Sequence, residues 1–207
     1  MKNDIQTIDE SNYIDSIKSK LTNIDDIELR NLIERLIEER EQLAEILDVD
    51  PLTGLYNRRI LDRIRDFTTV AICDIDNFKQ INDTYGHLIG DKVLQIIAHT
   101  LSKNVRVNDY VCRFGGDEFI LIFCGADENV VKRRMEKLIE SVNSMLILND
   151  FKITVSIGVS SYKRGISLKN VINQADKALY ISKETGKNAV NCYSDLATKN
   201  SSLKFNL

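Results

Sequence analysis

Two apolar runs, Val111-Cys-Arg-Phe114 and Glu118-Phe-Ile-Leu-Ile-Phe123, are separated by little more than Gly115-Gly116. Glycine adopts freely the positive φ that a tight primed turn demands, so the pair reads as an antiparallel hairpin. That feature alone excludes an all-parallel sheet, in which every connection is a crossover of a dozen residues or more. Further strand-like runs at Phe67 to Asp76, Lys152 to Ser160 and Ala189 to Tyr193 alternate with helical periodicity at Val93 to Leu101, at residues 128 to 147, and along Leu168, Val171, Ile172, Ala175 and Leu179. Gly186 is placed to end the last helix. Strands mixed with helices around a hairpin argue an α+β sandwich over a doubly wound sheet.

The single proline, Pro51, marks a boundary, because the residue before a proline is driven out of helical conformation. Before it, apolar residues recur at helical spacing from Ile14 to Leu47, which predicts one amphipathic helix or a pair, with Thr22 or Asn23 as N-cap of the second and Asp25 and Asp26 near its positive end. Leu29, Leu32, Leu36, Glu39, Leu43 and Ile46 fall on alternating a and d positions, a short seam interrupted by one charge. A dimerising stalk and a helix docked on its own domain both use such a stripe; the stalk is the favoured reading.

Charge divides at the same place. Residues 1–50 hold 6 Lys/Arg against 14 Asp/Glu, while the whole chain carries a net charge of only -3, so the remainder is mildly basic. A mildly basic body suits a phosphorylated ligand and is too weak a signal for nucleic-acid binding. The expected division is a helical segment at 1–49, a catalytic domain at 50–195 and a polar tail at 196–207. Apolar runs are too short to span a bilayer and the polar N-terminus lacks a secretory core, so a cytoplasmic protein without a separate sensor domain is expected. Cys73, Cys112, Cys124 and Cys192 lack metal-binding spacing and are expected as free thiols, most of them packed as small hydrophobes.

The chemistry announces itself where carboxylates interrupt apolar strands. Asp74 and Asp76 flank Ile75 at the end of one strand and share a face, and Asp117-Glu118 follow the glycine turn. A carboxylate leaving a buried strand needs a cation or donors to offset its desolvation. If the hairpin lies beside the first strand, Asp74, Asp117 and Glu118 converge, and such an oxygen-rich set suits Mg²⁺ held together with substrate phosphates. The plainer alternative is a hairpin with surface acids.

Arg113-Phe-Gly-Gly-Asp-Glu-Phe119 resembles the signature of the GGDEF-domain diguanylate cyclases, and the resemblance runs over about three-quarters of the chain. Asp50-Pro-Leu-Thr-Gly-Leu-Tyr-Asn-Arg58, Asp74-Ile-Asp-Asn-Phe-Lys-Gln-Ile-Asn-Asp83 and Tyr85-Gly-His-Leu-Ile-Gly-Asp91 are similar to further motifs of the family. So are Val155-Ser-Ile-Gly-Val159, Ala175-Asp-Lys-Ala-Leu-Tyr180, and Lys183 with Gly186-Lys-Asn188, all in the family's order. The resemblance implies a palm-like nucleotidyl cyclase fold, with a mostly antiparallel central sheet flanked by helices. It also implies condensation of two GTP into cyclic di-GMP, with release of two pyrophosphates, by a bacterial signalling transferase that works as a homodimer.

Carried over by position, Asp74, the carbonyl of Ile75, Asp117 and Glu118 would hold Mg²⁺, with Mn²⁺ as the alternative ion, and Asp117 or Glu118 would assist deprotonation of the 3′-hydroxyl. Asn82 and Asp91 would read the guanine edge, with His87 packed beside the nucleotide or purely structural. The backbone at Phe78 and Lys79 would meet phosphates at a helix N-terminus. Lys183 and Lys187 would neutralise the β and γ phosphates, although lysines there also complement a helix C-terminus with no ligand. The family's usual residue at Lys187 is Arg, so the bidentate fork is lost while the charge stays. Arg106 and Asp109 stand where the family has an inhibitory product site for cyclic di-GMP; as an isolated pair three residues apart they amount to a local ion pair.

One such domain holds one GTP, so two must face one another, and the N-terminal helices are expected to form that homodimer or to receive a regulatory protein. The rival function is a non-catalytic module that binds GTP or cyclic di-GMP; retention of Asp74, Asp117 and Glu118 weighs against it. A mixed adenine-guanine product is disfavoured by Asp91.

Overall fold

The structure, a computed structural model, describes residues 10–21, 27–145 and 152–196. The chain forms two compact units, Met1–Asp48 and Val49–Leu207. In the first, the stripe resolves into two helices, α1 (Glu10–Leu21) and α2 (Ile27–Leu47). Leu21 and Ile37 are buried, whereas Leu29, Leu32 and Leu36 of the seam are 46%, 55% and 56% exposed. The expected N-cap at Thr22 or Asn23, and Asp25 and Asp26, lie outside the described residues.

The second unit is built on a six-stranded sheet in the order β1-β3-β4-β2-β5-β6, comprising β1 (Tyr56–Asn57), β2 (Thr69–Ile75), β3 (Tyr110–Gly115), β4 (Glu118–Phe123), β5 (Val155–Ser161) and β6 (Val190–Cys192). The four central strands pair antiparallel, and the short edges β1 and β6 run parallel to β3 and β5. The unit also contains helices α3 (Phe78–Tyr85), α4 (His87–Lys103), α5 (Glu128–Asn143) and α6 (Leu168–Glu184), and a short 3₁₀ helix at Arg58–Asp62. Two start where side chains cap them: Asp127 accepts from the Val130 N–H and Ser167 from the Asn170 N–H.

Every residue of β2 is buried. Alternation sends Ala71, Cys73 and Ile75 into a core with α4 and α5, and Val70 and Ile72 into a second core with α6. Asp74 therefore falls on the α6 face, at the end of an otherwise apolar row. Helix α6 crosses β5 at Gly158, where an added Cβ would overlap the Ala175 carbonyl and the Leu179 amide. Cys73, Cys112 and Cys192 are buried free thiols, and Cys124 is partly exposed.

Several expected boundaries move. Strand β2 is shorter than Phe67 to Asp76, α4 starts at His87 rather than Val93, and β5 starts at Val155 rather than Lys152. Helix α5 stops at Asn143, short of residue 147, and residues 146 and 147 lie outside the described part. At the hairpin only Gly116 adopts positive φ, at 53°; Gly115 is the last residue of β3, behind a register shift between Arg113 and Gly115. A β-bulge inserts the extra residue that a primed two-glycine turn would not need.

The contact at Gly158 gives a direct test. Gly158→Ala is expected to lower unfolding free energy by about 1–3 kcal/mol in urea denaturation, because the clash is with helix backbone and no flexible side chain can yield.

Candidate active site

The acids meet through strand pairing. In the β2–β4 ladder Asp74 stands directly opposite Glu118, and the Ile75 N–H reaches the Asp117 carbonyl at 3.4 Å. Lys183, near the end of α6, places Nζ 2.8 Å from Asp74 Oδ2. Burial pushes the Asp74 carboxyl up to about 6, Lys183 opposes that rise, and the charges of Asp117 and Glu118 add to it. Burial also raises Glu118, with Lys183 lowering it and Asp117 and Asp176 raising it further. Lys183 responds in kind: burial alone would lower its pKa, but the carboxylates of Asp74, Glu118 and Asp117 together outweigh burial and raise it.

The donor set fits a hard divalent cation as far as its chemistry goes: desolvated carboxylates crowd together and a lysine ammonium neutralises one of them. Among the described residues no three acidic, histidine or cysteine side chains enclose a single point. Mg²⁺ is ordinarily held by one or two carboxylates with substrate phosphates and water completing its shell, and Asp74 with Glu118 opposite it supplies that number.

Beyond the acids, α3 begins at Phe78 behind Asn77, an N-cap residue at φ 57° whose side chain makes no capping bond. The first amides of α3 thus lack a side-chain cap, as an anion-binding helix terminus requires. Asn77 Oδ1 instead accepts from Lys187 Nζ at 2.6 Å. Gly86, at φ 81°, links α3 directly to α4. Asn82 on α3 and Asp91 on α4 flank the close approach of these helices, and Gly90 makes it feasible. A Cβ there would overlap Asn82 Oδ1 and stand 3.3 Å from Phe78 Cζ. Lys79 and His87 are exposed.

Two residues had no assigned role in the sequence. Arg113 donates from Nε and Nη2 to the Gly116 carbonyl, at 2.9 and 2.8 Å, and its Nη1 lies 3.4 Å from each Asp50 carboxylate oxygen. Asp50 also accepts from the Thr53 amide and hydroxyl. Burial would raise the Asp50 carboxyl, but these donors and the guanidinium hold it below its usual value. Arg113 thereby ties the turn that carries Asp117 to the segment following α2. Gly90 is the second. The segment Tyr85-Gly-His-Leu-Ile-Gly-Asp91 marked the motif but not the reason for its second glycine.

Arg106 and Asp109 are not equivalent. Arg106 is exposed. The Asp109 side chain is only 3% exposed and lies 3.7 Å from the Arg134 guanidinium. It accepts from the Arg106 amide at 2.9 Å and the Cys124 amide at 3.0 Å. The Asp109 carboxylate thereby holds the turn before β3.

The Asp74 pKa carries a sign. Its value rises from 3.8 to about 6 on folding, so its contribution to stability is full below about pH 4 and is lost as pH climbs through about 6. Asp74→Asn is therefore expected to stabilise the metal-free protein by on the order of 1–3 kcal/mol at pH 7.5, with the gain vanishing near pH 4. Urea unfolding across that range, in the presence of a chelator, measures it.

Residues 47–189 match the family described as Diguanylate cyclase, GGDEF domain. Diguanylate cyclase DosC of Escherichia coli (strain K12) is 35% identical over 184 residues, which cover 79% of this chain and 40% of DosC. Diguanylate cyclase A of Treponema denticola is 40% identical over 140 residues, 66% of this chain and 38% of that protein. The chain thus spans about two fifths of these relatives. Among solved structures, the coiled coil and GGDEF domain of DgcB from Caulobacter crescentus, in complex with c-di-GMP, aligns with a TM-score of 0.70 and 32% identity over 86% of this chain and 99% of that one. The diguanylate cyclase SiaD from Pseudomonas aeruginosa, in complex with its activator SiaC, aligns with a TM-score of 0.65 and 28% identity over 88% and 78%. With the family's match extending over more than half its length, the chain belongs to the GGDEF domain family of diguanylate cyclases.

Proposed function

We infer that this protein is a diguanylate cyclase that joins two GTP into cyclic di-GMP and releases two pyrophosphates. The observation that carries the reading is the facing pair Asp74 and Glu118, with Asp117 in the adjoining turn and Lys183 reaching in from α6. A non-catalytic relative has no need to keep three mutually repelling acids in a half-buried cluster.

Asp74, the Ile75 carbonyl, Asp117 and Glu118 are the groups that would hold Mg²⁺, or Mn²⁺ in its place. The ion would supply charge to polarise the α-phosphate and acidify the attacking 3′-hydroxyl. Asp117 or Glu118 would take the hydroxyl proton, with a cation bound beside them setting the proton affinity of both. The uncapped amides at Phe78 and Lys79 and the ammonium groups of Lys183 and Lys187 would bind the β and γ phosphates, stabilising the leaving pyrophosphate. Asn82 offers a donor and an acceptor to guanine, and Asp91 accepts from its N1 and N2. His87, exposed on the first turn of α4, lies on the same helix as Asp91 and would pack by the base.

Each 3′-hydroxyl attacks the α-phosphate of the other GTP, so the reaction needs two copies. The exposed Ile27, Leu29, Leu32 and Leu36 of α2 support a homodimer through the N-terminal helices. Similarity to a cyclase structure that includes its activator supports a regulatory protein as partner, and the acidic helices would offer it a charged face. Product feedback would act through the exposed Arg106 guanidinium, with Asp109 shaping its turn. Among the described residues no helix is long and apolar enough to cross a membrane.

Incubation of the purified protein with GTP and Mg²⁺, with products resolved by mass, is expected to yield cyclic di-GMP. Asp117→Ala should reduce turnover by at least about a hundredfold; unchanged turnover would remove Asp117 from the metal site. A double Leu32→Glu, Leu36→Glu variant should shift the protein to monomer in sedimentation and lose turnover in proportion. Added product should inhibit the unmodified protein and leave Arg106→Ala largely uninhibited.

A further inference from the structure

Asp76 directly follows β2 and is 3% exposed. Its Oδ1 accepts from Ser156 Oγ at 2.7 Å, and its Oδ2 accepts from Thr154 Oγ1 at 2.7 Å and from the Asn188 N–H at 3.0 Å. Three donors converge, which calls for a group that only accepts; a carboxylate meets that need without presenting a hydrogen of its own.

The third donor is the informative one, because it lies in the segment between α6 and β6 that carries Lys187. Lys187 and Asn188 are both left-handed, at φ 63° and 51°. Consecutive non-glycine residues hold that conformation only when their surroundings over-determine it. The Lys187 N–H donates to the Ser182 carbonyl at 2.9 Å, and the Ala189 carbonyl accepts from the Ile157 N–H at 2.8 Å, so the flanks are tied to α6 and β5. The bond to Asp76 ties the middle of the segment to the end of β2. Asn188 Oδ1 is buried with no hydrogen-bond partner among the described residues. What this asparagine supplies is therefore its backbone N–H and its tolerance of the left-handed region.

The next residue completes the grip. Asn77 accepts from Lys187 Nζ, and it is the N-cap residue of α3. Asp76 thus holds the backbone beside Lys187 while Asn77 holds its ammonium, and the ammonium is stationed at the terminus of α3.

We propose that Asp76 is a positioning residue for the triphosphate: it fixes the Lys187–Asn188 backbone so that the Lys187 ammonium stays at the N-terminus of α3. It touches no reacting atom. The proposal rests on the reading of Lys187 as a phosphate ligand, and the following experiment separates the two.

Affinities for α,β-methylene GTP and for GMP are measured by calorimetry with Mg²⁺ on the full chain, with thermal unfolding of each variant in parallel. GMP carries the guanine and α-phosphate but lacks the phosphates that Lys187 would meet. Asp76→Ala is expected to weaken the analogue about tenfold and leave GMP within about twofold. Asp76→Asn should recover most of the loss, because its amide oxygen can still accept from Asn188 and the Ser156 hydroxyl can turn to accept from the amide. In a Lys187→Ala background, Asp76→Ala should cost less than about twofold. Equal weakening of both ligands, or a full loss that persists without Lys187, would overturn the proposal. If Lys187→Ala leaves the analogue's affinity unchanged, the reading of Lys187 falls and the proposal with it. If Lys187→Ala weakens the analogue and Asp76→Ala does not, the role of Asp76 alone falls. Should Asp76→Ala not fold, Asp76→Ser, polar but too short for the Asn188 N–H, takes its place with the same split expected.

Discussion

The register of one antiparallel ladder governs the rest of this molecule. Phe119, Leu121 and Phe123 of β4 point into the core with α4 and α5, and Ile120 and Ile122 point into the core with α6. A slip of one residue would exchange those faces and expose the wrong set. The register that buries them also sets Glu118 opposite Asp74, on the face that Lys183 approaches. Hydrophobic burial therefore does the work of assembling a repulsive acidic pair. The cost appears as the upward shifts of Asp74 and Glu118, which a bound cation would relieve.

Lys183 reaches that pair because α6 sits unusually close to the sheet. The absence of a side chain at Gly158 permits it, and small residues Ala175 and Ala178 are buried on the same helix. Packing and electrostatics are thus coupled: a larger residue at position 158 would lift the helix and carry the ammonium away from Asp74. The same logic operates at Gly90, where the missing Cβ leaves room for the Asn82 amide. At both places a glycine in an otherwise regular helix or strand is explained by what lies against it rather than by backbone freedom.

Strong periodicity made the large elements legible. Strands β2 and β4 are long apolar runs, and α5 and α6 show in the helical spacing of their apolar residues. Strand β1, of two residues, is too short for periodicity and its parallel pairing was not foreseen, whereas β6 falls within the expected run from Ala189 to Tyr193. The convergence of Asp74 with Asp117 and Glu118 could be anticipated from where the acids interrupt the strands. Their dependence on other residues could not. Arg113 and Asp50 are 63 residues apart, and Asp76 and Asn188 are 112 apart, so no local pattern links either pair. The bond of Asp109 to the Cys124 amide was hidden in the same way, since only its spacing from Arg106 is visible along the chain.

Those long-range links decide how precisely the acids are held. The turn carrying Asp117 lies beyond the register shift at Phe114, where the ladder gives less support. Arg113 compensates by binding the Gly116 carbonyl with two nitrogens and leaning on Asp50 with the third. Each contact is partly solvated and worth little alone, about 1 kcal/mol or less. Their value lies in geometry, because an error of about 1 Å at a catalytic group can cost a hundredfold in rate. Asp50 lies only three residues beyond the last residue of α2, and it is itself held by Thr53. The position of Asp117 is thereby referred to the start of the second unit, next to the helical segment in the chain, as well as to the sheet beneath it.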